Sequence, residues 1–152
     1  MRYRVVAVGR VKRGFVRDGC DRYTRLLSSL TRFELIEVRD HSDLGAAEAR
    51  RRHDKEMLAA AEGVLVALDE RGTLADTAAL AKRIEQFDGR GDSRLTLFIG
   101  GPDGHGEELL AAVHQTWSLS PLTFPHELAR LILLEQLYRV ESLRAGHPYH
   151  RE

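Results

Sequence analysis

Leu95-Thr96-Leu97-Phe98-Ile99, then Gly100-Gly101-Pro102-Asp103-Gly104-His105-Gly106, then Glu107-Glu108-Leu109-Leu110 is the stretch that decides how this chain folds. Its first five residues are a short apolar run, the pattern of a parallel strand buried on both faces. The next seven carry four glycines, and glycine lets a backbone turn sharply and approach a ligand closely. Leu109, Leu110 and Val113 then fall on one side of a helix expected over Glu107–Thr116. A strand, a glycine turn and a helix N-terminus with free amides form the kind of place where open α/β sheets bind ligands, beyond the carboxyl ends of their strands.

The flanking sequence repeats the alternation. Strands are expected at Arg2–Val8, Phe33–Val38, Val64–Leu68 and Trp117–Leu119. Helices are expected over Phe15–Leu30 and Gly45–Ala61, after a cap at Asp76 with Leu80, Ile84 and Phe87 on one face, and over His126–Leu143. Such alternation predicts a three-layer α/β domain with a mainly parallel sheet, in a single unit over 1–152. The last helix is apolar on most sides, through Leu128, Leu131, Ile132, Leu133, Leu134, Leu137, Tyr138, Val140 and Leu143. That breadth calls for deep burial or a dimer seam.

Composition narrows the class. The 152 residues suit one domain with its own core, and Cys20, the lone cysteine, excludes an internal disulfide. No run approaches a membrane span, and Met1-Arg2-Tyr3-Arg4 leads into a strand-like run without a signal-peptide apolar stretch, so a cytoplasmic protein is expected. The net charge is zero, yet residues 1–25 hold eight basic side chains against two acidic ones. Such asymmetry marks a candidate phosphate-binding face, with a solvated helix and loop as the plainer explanation.

Three strand ends stand out as ligand positions: Leu68-Asp69, Ile99-Gly100-Gly101 and Leu119-Ser120. The glycine spacing G-x-x-G-x-G is not the dinucleotide fingerprint. Gly106 is followed by Glu107-Glu108 where a P-loop needs Lys and Ser or Thr. Two carboxylates there repel phosphate and suit an adenosyl group or nucleoside. His126, His147 and His150 cluster late, but Pro148 and the lack of nearby cysteine or carboxylate ligands argue against a metal.

Several of these motifs together resemble the RlmH family, SPOUT-class N3-methyltransferases of pseudouridine 1915 in 23S rRNA. They are Phe98-Ile99-Gly100-Gly101-Pro102-Asp103-Gly104, Trp117-Ser118-Leu119-Ser120, Leu122-Thr123-Phe124-Pro125-His126, Leu137-Tyr138-Arg139 and His147-Pro148-Tyr149-His150-Arg151-Glu152. The likeness extends to Val5-Val6-Ala7-Val8-Gly9, Phe33-Glu34-Leu35-Ile36-Glu37 and Asp54-Lys55-Glu56, so it covers the whole chain. It implies a C-terminal deep trefoil knot, an exception to the rule that chains are unknotted. It also implies a homodimer and S-adenosylmethionine (AdoMet) as cofactor, with the assembled ribosome as partner. The implied AdoMet contacts are Leu68, Gly100, Gly101 and Ser120-Pro121-Leu122-Thr123-Phe124-Pro125. Pro121 stands where a small residue is expected and removes a backbone N–H. Gly146 replaces an expected asparagine.

The implied reaction moves a methyl from sulfonium to a ring nitrogen and needs no metal. Its demands are in-line positioning and loss of the N3 proton. The candidates are His126 and His150 as proton acceptors, with ionisation of the positioned substrate without a general base as the alternative, Arg139 to orient the ring or a phosphate, and Tyr149 to stack on the base or hydrogen-bond to its edge. Arg4, Arg10, Lys12, Arg13 and Arg151 are candidate RNA contacts. The alternatives are a SPOUT methyltransferase acting on another rRNA or tRNA site, and a non-catalytic RNA-binding protein of the same fold.

Overall fold

A computed structural model describes residues 1–12, 14–147 and 149. Five strands form one sheet, ordered β2-β1-β4-β3-β5: β1 (Arg2–Val8), β2 (Arg32–Val38), β3 (Val64–Leu74), β4 (Arg94–Ile99) and β5 (Gln115–Ser118). Every strand pair is parallel. The central strands β1 and β4 are the apolar runs of the sequence, as strands covered on both faces must be. Alternate residues of β1 divide between two cores. Tyr3, Val5 and Ala7 join α1 (Gly14–Leu30), α3 (Thr77–Gly89) and α5 (His126–Arg144), whereas Val6 and Val8 meet α2 (Ala46–Ala59) and α4 (Glu107–Ala112). The α/β three-layer expectation therefore holds.

Much of the apolar breadth of α5 is satisfied inside the chain: Leu133, Leu134, Leu137 and Val140 are buried in the first core. After β5, at one edge of the sheet, the chain returns so that α5 packs against α1 beside the opposite strands. That path is consistent with the expected trefoil knot.

Two boundaries differ from the sequence reading. The helix expected to reach Thr116 stops at Ala112, and the strand expected at Trp117–Leu119 runs over Gln115–Ser118. The cause lies across the sheet. His114 N–H donates to the Leu65 carbonyl at 2.8 Å while its Nδ1 accepts from Leu65 N–H at 2.9 Å, drawing the chain into the ladder. The third strand also continues past Leu68. Both Leu68 and Thr73 pair with Trp117, so Asp69–Gly72 bulge out of the ladder. Gly72 makes this possible, since a Cβ there would sit 2.7 Å from the Thr116 and Trp117 backbone.

Candidate functional site

A cavity of about 450 Å³ opens beyond the carboxyl ends of β3, β4 and β5, within the range usual for small-ligand sites. Its walls are the three strand ends picked out in the sequence. Leu68, Gly100, Gly101, Ser120, Leu122, Thr123 and Phe124 line it, and His126 and Ala129 close it from α5. Pro121 and Pro125 belong to the loop but do not line the cavity.

Each wall is braced. On the first, the Leu68 carbonyl accepts from His105 Nε2 at 3.1 Å. Burial lowers the His105 pKa below its ordinary value, so the imidazole is neutral and donates that proton. The bulge after Leu68 brings Asp69, Glu70 and Arg71 to the rim. Burial raises the Asp69 pKa, but hydrogen bonds from the Arg71 side chain and backbone outweigh it and hold the carboxylate ionised.

The glycine loop is braced from beneath. Gly104 N–H donates to the Gly101 carbonyl at 3.0 Å. Asp54 of α2, 1% exposed, accepts from Gly106 N–H at 3.0 Å and Leu109 N–H at 3.1 Å, capping α4 from another element. The Arg50 guanidinium reaches the Asp103 carbonyl at 3.3 Å.

In the third wall, Ser120 Oγ accepts from Leu122 N–H at 3.0 Å. Among the described residues no partner within the chain takes the amides of Thr123 and Phe124, so these donors remain where Pro121 supplies none. Thr123 Oγ1 donates to Glu70 Oε2 at 2.7 Å, tying the third wall to the first across the mouth.

The end of α5 that closes the cavity is pinned by Arg130, 2% exposed, which donates to Glu37 Oε2 at 2.5 Å and to the Gly9 carbonyl at 2.9 Å. Lys12 N–H donates to Glu127 Oε1 at 3.3 Å, so the basic loop carrying Arg10 and Lys12 lies beside this turn. Arg4 is not brought there. It lies on β1 toward the other end of the sheet, donating to the Ala60 carbonyl and pairing with Glu34 and Glu62.

The other candidates gather elsewhere. Arg139 pairs with Glu135 at 2.7 Å and stacks over the Tyr149 ring at 4.9 Å. Tyr149 donates to Glu135 at 3.2 Å, lies 3.0 Å from the Tyr23 hydroxyl and meets Tyr138 edge-on. Burial first, then its contacts with Tyr23 and Glu135, raise the Tyr149 pKa well above the ordinary value, so the phenol stays protonated at neutral pH. Arg139 lies thirteen positions after His126 along α5, about 20 Å at 1.5 Å per residue. One chain therefore does not bring these side chains to its own cavity. Arg13, His150 and Arg151 lie outside the described residues.

The cavity suits a cationic nucleoside better than a phosphate. Asp69, Glu70 and Asp103 line it against Arg71 alone, and the walls offer apolar side chains and backbone groups. Sequence reasoning assigned no role to His105, Asp54 or Arg130. The first two sit inside stretches it quoted, but nothing local shows what they brace. Among the described residues no three His, Cys, Asp or Glu side chains converge as a metal would require, and no helix is long and apolar enough to cross a membrane.

Comparison with known proteins adds the last observations. A family profile described as "Predicted SPOUT methyltransferase" matches residues 1–150. The chain is 43% identical to the "Ribosomal RNA large subunit methyltransferase H" of Synechococcus sp. (strain CC9605), covering 99% of this chain and 96% of that one. It is also 43% identical to a protein of the same name from Thermus thermophilus, over 99% of each. In fold it is similar to the structure of a probable methylase family protein from Haemophilus influenzae Rd KW20, with a TM-score of 0.59 at 12% identity, covering 97% of this chain and 69% of that one.

Proposed function

The chain belongs to the SPOUT methyltransferase family, in the RlmH group, and from that premise we propose that it methylates N3 of pseudouridine 1915 in 23S rRNA of the large ribosomal subunit, on assembled ribosomes. The observation that carries the chemistry is the acidic, backbone-walled cavity at three parallel strand ends. It suits AdoMet, which is cationic at sulfur, and it lacks the basic cradle a phosphate cofactor needs. The ribosomal substrate is supported by near-full-length likeness to proteins named for it.

AdoMet, when bound, supplies an electrophilic methyl group on a sulfonium. The residues present fit it in named roles. Thr123 and Phe124 would offer amides to the adenine, and Gly100, Gly101 and Leu68 would offer close-packed backbone. The Asp69, Glu70 and Asp103 carboxylates favour the cationic centre electrostatically. His126, which lines the cavity, is the first candidate to accept the N3 proton, directly or through water. Tyr149, held as a phenol, serves as a stacking or hydrogen-bonding group and not as a base. Arg139, kept charged by Glu135, orients the base or a phosphate. His150 is a second candidate proton acceptor, and Arg10, Lys12, Arg13 and Arg151 are RNA contacts.

The separation of about 20 Å between His126 and Arg139 supports a homodimer in which Arg139 and Tyr149 of one subunit serve the cavity of the other. Exposed Phe15 and Leu122 and half-buried Leu128 and Ile132, around the first turns of α5, offer an apolar seam. The protein then acts as a single-domain cytoplasmic enzyme.

Tritiated AdoMet offered with intact ribosomes, free large subunits and tRNA tests the assignment. Label is expected in large-subunit rRNA, most strongly from intact ribosomes. Label confined to tRNA would refute it, and the absence of a specific heat of AdoMet binding would favour a non-catalytic RNA-binding protein.

A further inference from the structure

We propose that Arg32, Arg2 and Arg94 form a second RNA-contact surface that grips the phosphodiester backbone of the substrate at the end of the sheet opposite the cavity. The inference rests on the RNA-methyltransferase reading.

The three arginines are direct cross-strand partners. In the register of the parallel ladder Arg2 pairs with Arg32 on one side and with Arg94 on the other. Side chains in register share a face, and strands lie about 4.8 Å apart, so the row carries three guanidinium groups over roughly 10 Å of sheet. The first residues of three neighbouring strands thus present one charge.

Like charges placed directly opposite one another destabilise a sheet. Among the described residues that cost is offset only at Arg94. Among the described residues no carboxylate lies within ion-pair distance of Arg2 or Arg32, and Arg94 reaches only Glu62, at 3.5 Å. On the same face, one step further along β1, Arg4 is handled in the opposite way: its partner in β2 is Glu34, and the two are paired at 2.9 Å. The same sheet face therefore pairs Arg4 closely and Arg94 loosely, and among the described residues leaves Arg2 and Arg32 without an ion partner.

The row is also accessible. Arg32 and Arg94 are exposed and Arg2 half-exposed. A hollow of about 380 Å³ beside it is lined by Met1, Arg2, Thr31, Arg32, Ser93 and Arg94, three guanidinium groups and two hydroxyls with no carboxylate. Planar guanidinium forks with the Ser93 hydroxyl beside them match phosphate oxygens, while the Thr31 hydroxyl donates to the Met1 carbonyl. A run of regularly spaced charges calls for a polyanion of regularly spaced phosphates, and charge complementarity assigns the surface to RNA backbone.

Arg2 and Val8 lie six positions apart along β1, about 20 Å of extended chain. The row therefore cannot touch the nucleotide in the cavity and would hold RNA flanking it. It would add affinity and register without entering the chemistry.

The test is the triple variant R2Q/R32Q/R94Q, compared with the parent for binding to large ribosomal subunits across a salt series. Each lost phosphate contact should flatten the slope of log K against log salt by about 0.7–0.9, so a decrease of roughly 2 to 3 is expected. KM for the subunit should rise at least tenfold while AdoMet affinity is unchanged. The melting temperature should be unchanged or higher, because the repulsion is relieved. R2K/R32K/R94K should retain the slope. An unaltered slope and KM in the glutamine variant, with a parent that binds and methylates, overturns this inference and leaves the enzymatic reading intact. A lowered melting temperature or weakened AdoMet binding assigns the row a structural role and also overturns it. Loss of binding to anionic vesicles, with RNA binding preserved, would assign the surface to a membrane instead. A parent that neither binds nor methylates large-subunit RNA overturns both readings.

Discussion

Replacing Asp54 with asparagine should loosen the glycine loop from a distance. The Asp54 carboxylate is 1% exposed and accepts two backbone N–H groups, from Gly106 and Leu109, while α4 has no side-chain cap of its own. A hydrogen bond to a charged group contributes about 1.5–3 kcal/mol. Asparagine keeps one acceptor oxygen and turns an NH₂ donor toward the other N–H, so one bond is lost and a donor faces a donor. The expected loss is about 2–4 kcal/mol of unfolding free energy, read by urea denaturation. About 1.4 kcal/mol of differential free energy is tenfold in affinity, so if roughly half the loss is felt by the loop, calorimetry should find AdoMet binding weaker by about tenfold. Gly106→Ala should act in the same direction, because its Cβ would run into the Asp54 carboxylate. Glu107→Gln, in the first turn of α4, is the control and should cost only a few tenths, about 0.3–1 kcal/mol. An asparagine variant within about 0.5 kcal/mol of the parent, with unchanged AdoMet affinity, would refute the idea that α2 braces the site.

Four further outcomes are expected. Glu135→Gln removes the carboxylate that contacts both Arg139 and Tyr149 and should lower kcat for rRNA methylation about tenfold or more without altering AdoMet affinity, whereas an exposed ion pair of no consequence would leave kcat unchanged. Thr123→Val removes the hydroxyl bridge to Glu70 and, at about 0.5–1.5 kcal/mol, should speed AdoMet dissociation roughly two- to twelvefold in stopped-flow measurements. Burial lowers the pKa values of His105 and His53 from 6.5, so the unfolded chain binds protons first on acidification. Their stability contribution is whole above about pH 6.5 and is lost as pH falls toward their folded values, and melting temperatures across pH should decline less steeply for His105→Asn. The double variant R10Q/K12Q should raise KM for ribosomal RNA while AdoMet affinity holds; equal loss of both would show that the loop shapes the cavity instead.

The parts of the fold legible in sequence are those where local pattern and tertiary context agree. Leu95–Ile99 and Arg2–Val8 are apolar because both faces are covered, and the periodicity of α5 matches its observed bounds. Context overrides pattern at two places. Val113 and His114 continue a helical pattern, but hydrogen bonds with Leu65 recruit them into a strand approach. The strand expected to end at Leu68 resumes after Asp69–Gly72, because Gly72 closes the ladder again and leaves two carboxylates and Arg71 on the cavity rim. The three walls of the site were legible because glycines, a strand end and a Pro-flanked loop are local signals. Its supports were not. Asp54 acts 52 and 55 residues from its own position, and Arg130 acts 121 residues away, so no window of sequence contains both partners.

The Arg130 contact with the Gly9 carbonyl has a consequence for how the protein comes to exist. A ribosome releases the chain from its N-terminus, and β1 can find β2 as soon as both have emerged. Its other neighbour, β4, follows about sixty residues later, and the arginine that locks the end of β1 to α5 comes about ninety residues after β2. Non-local pairings of this kind fold slowly, since loop closure is paid before contacts repay it. The cavity therefore assembles only after α5 has been made, and a nascent chain that has released β1 and β2 but not yet α5 carries no formed pocket with which to engage RNA.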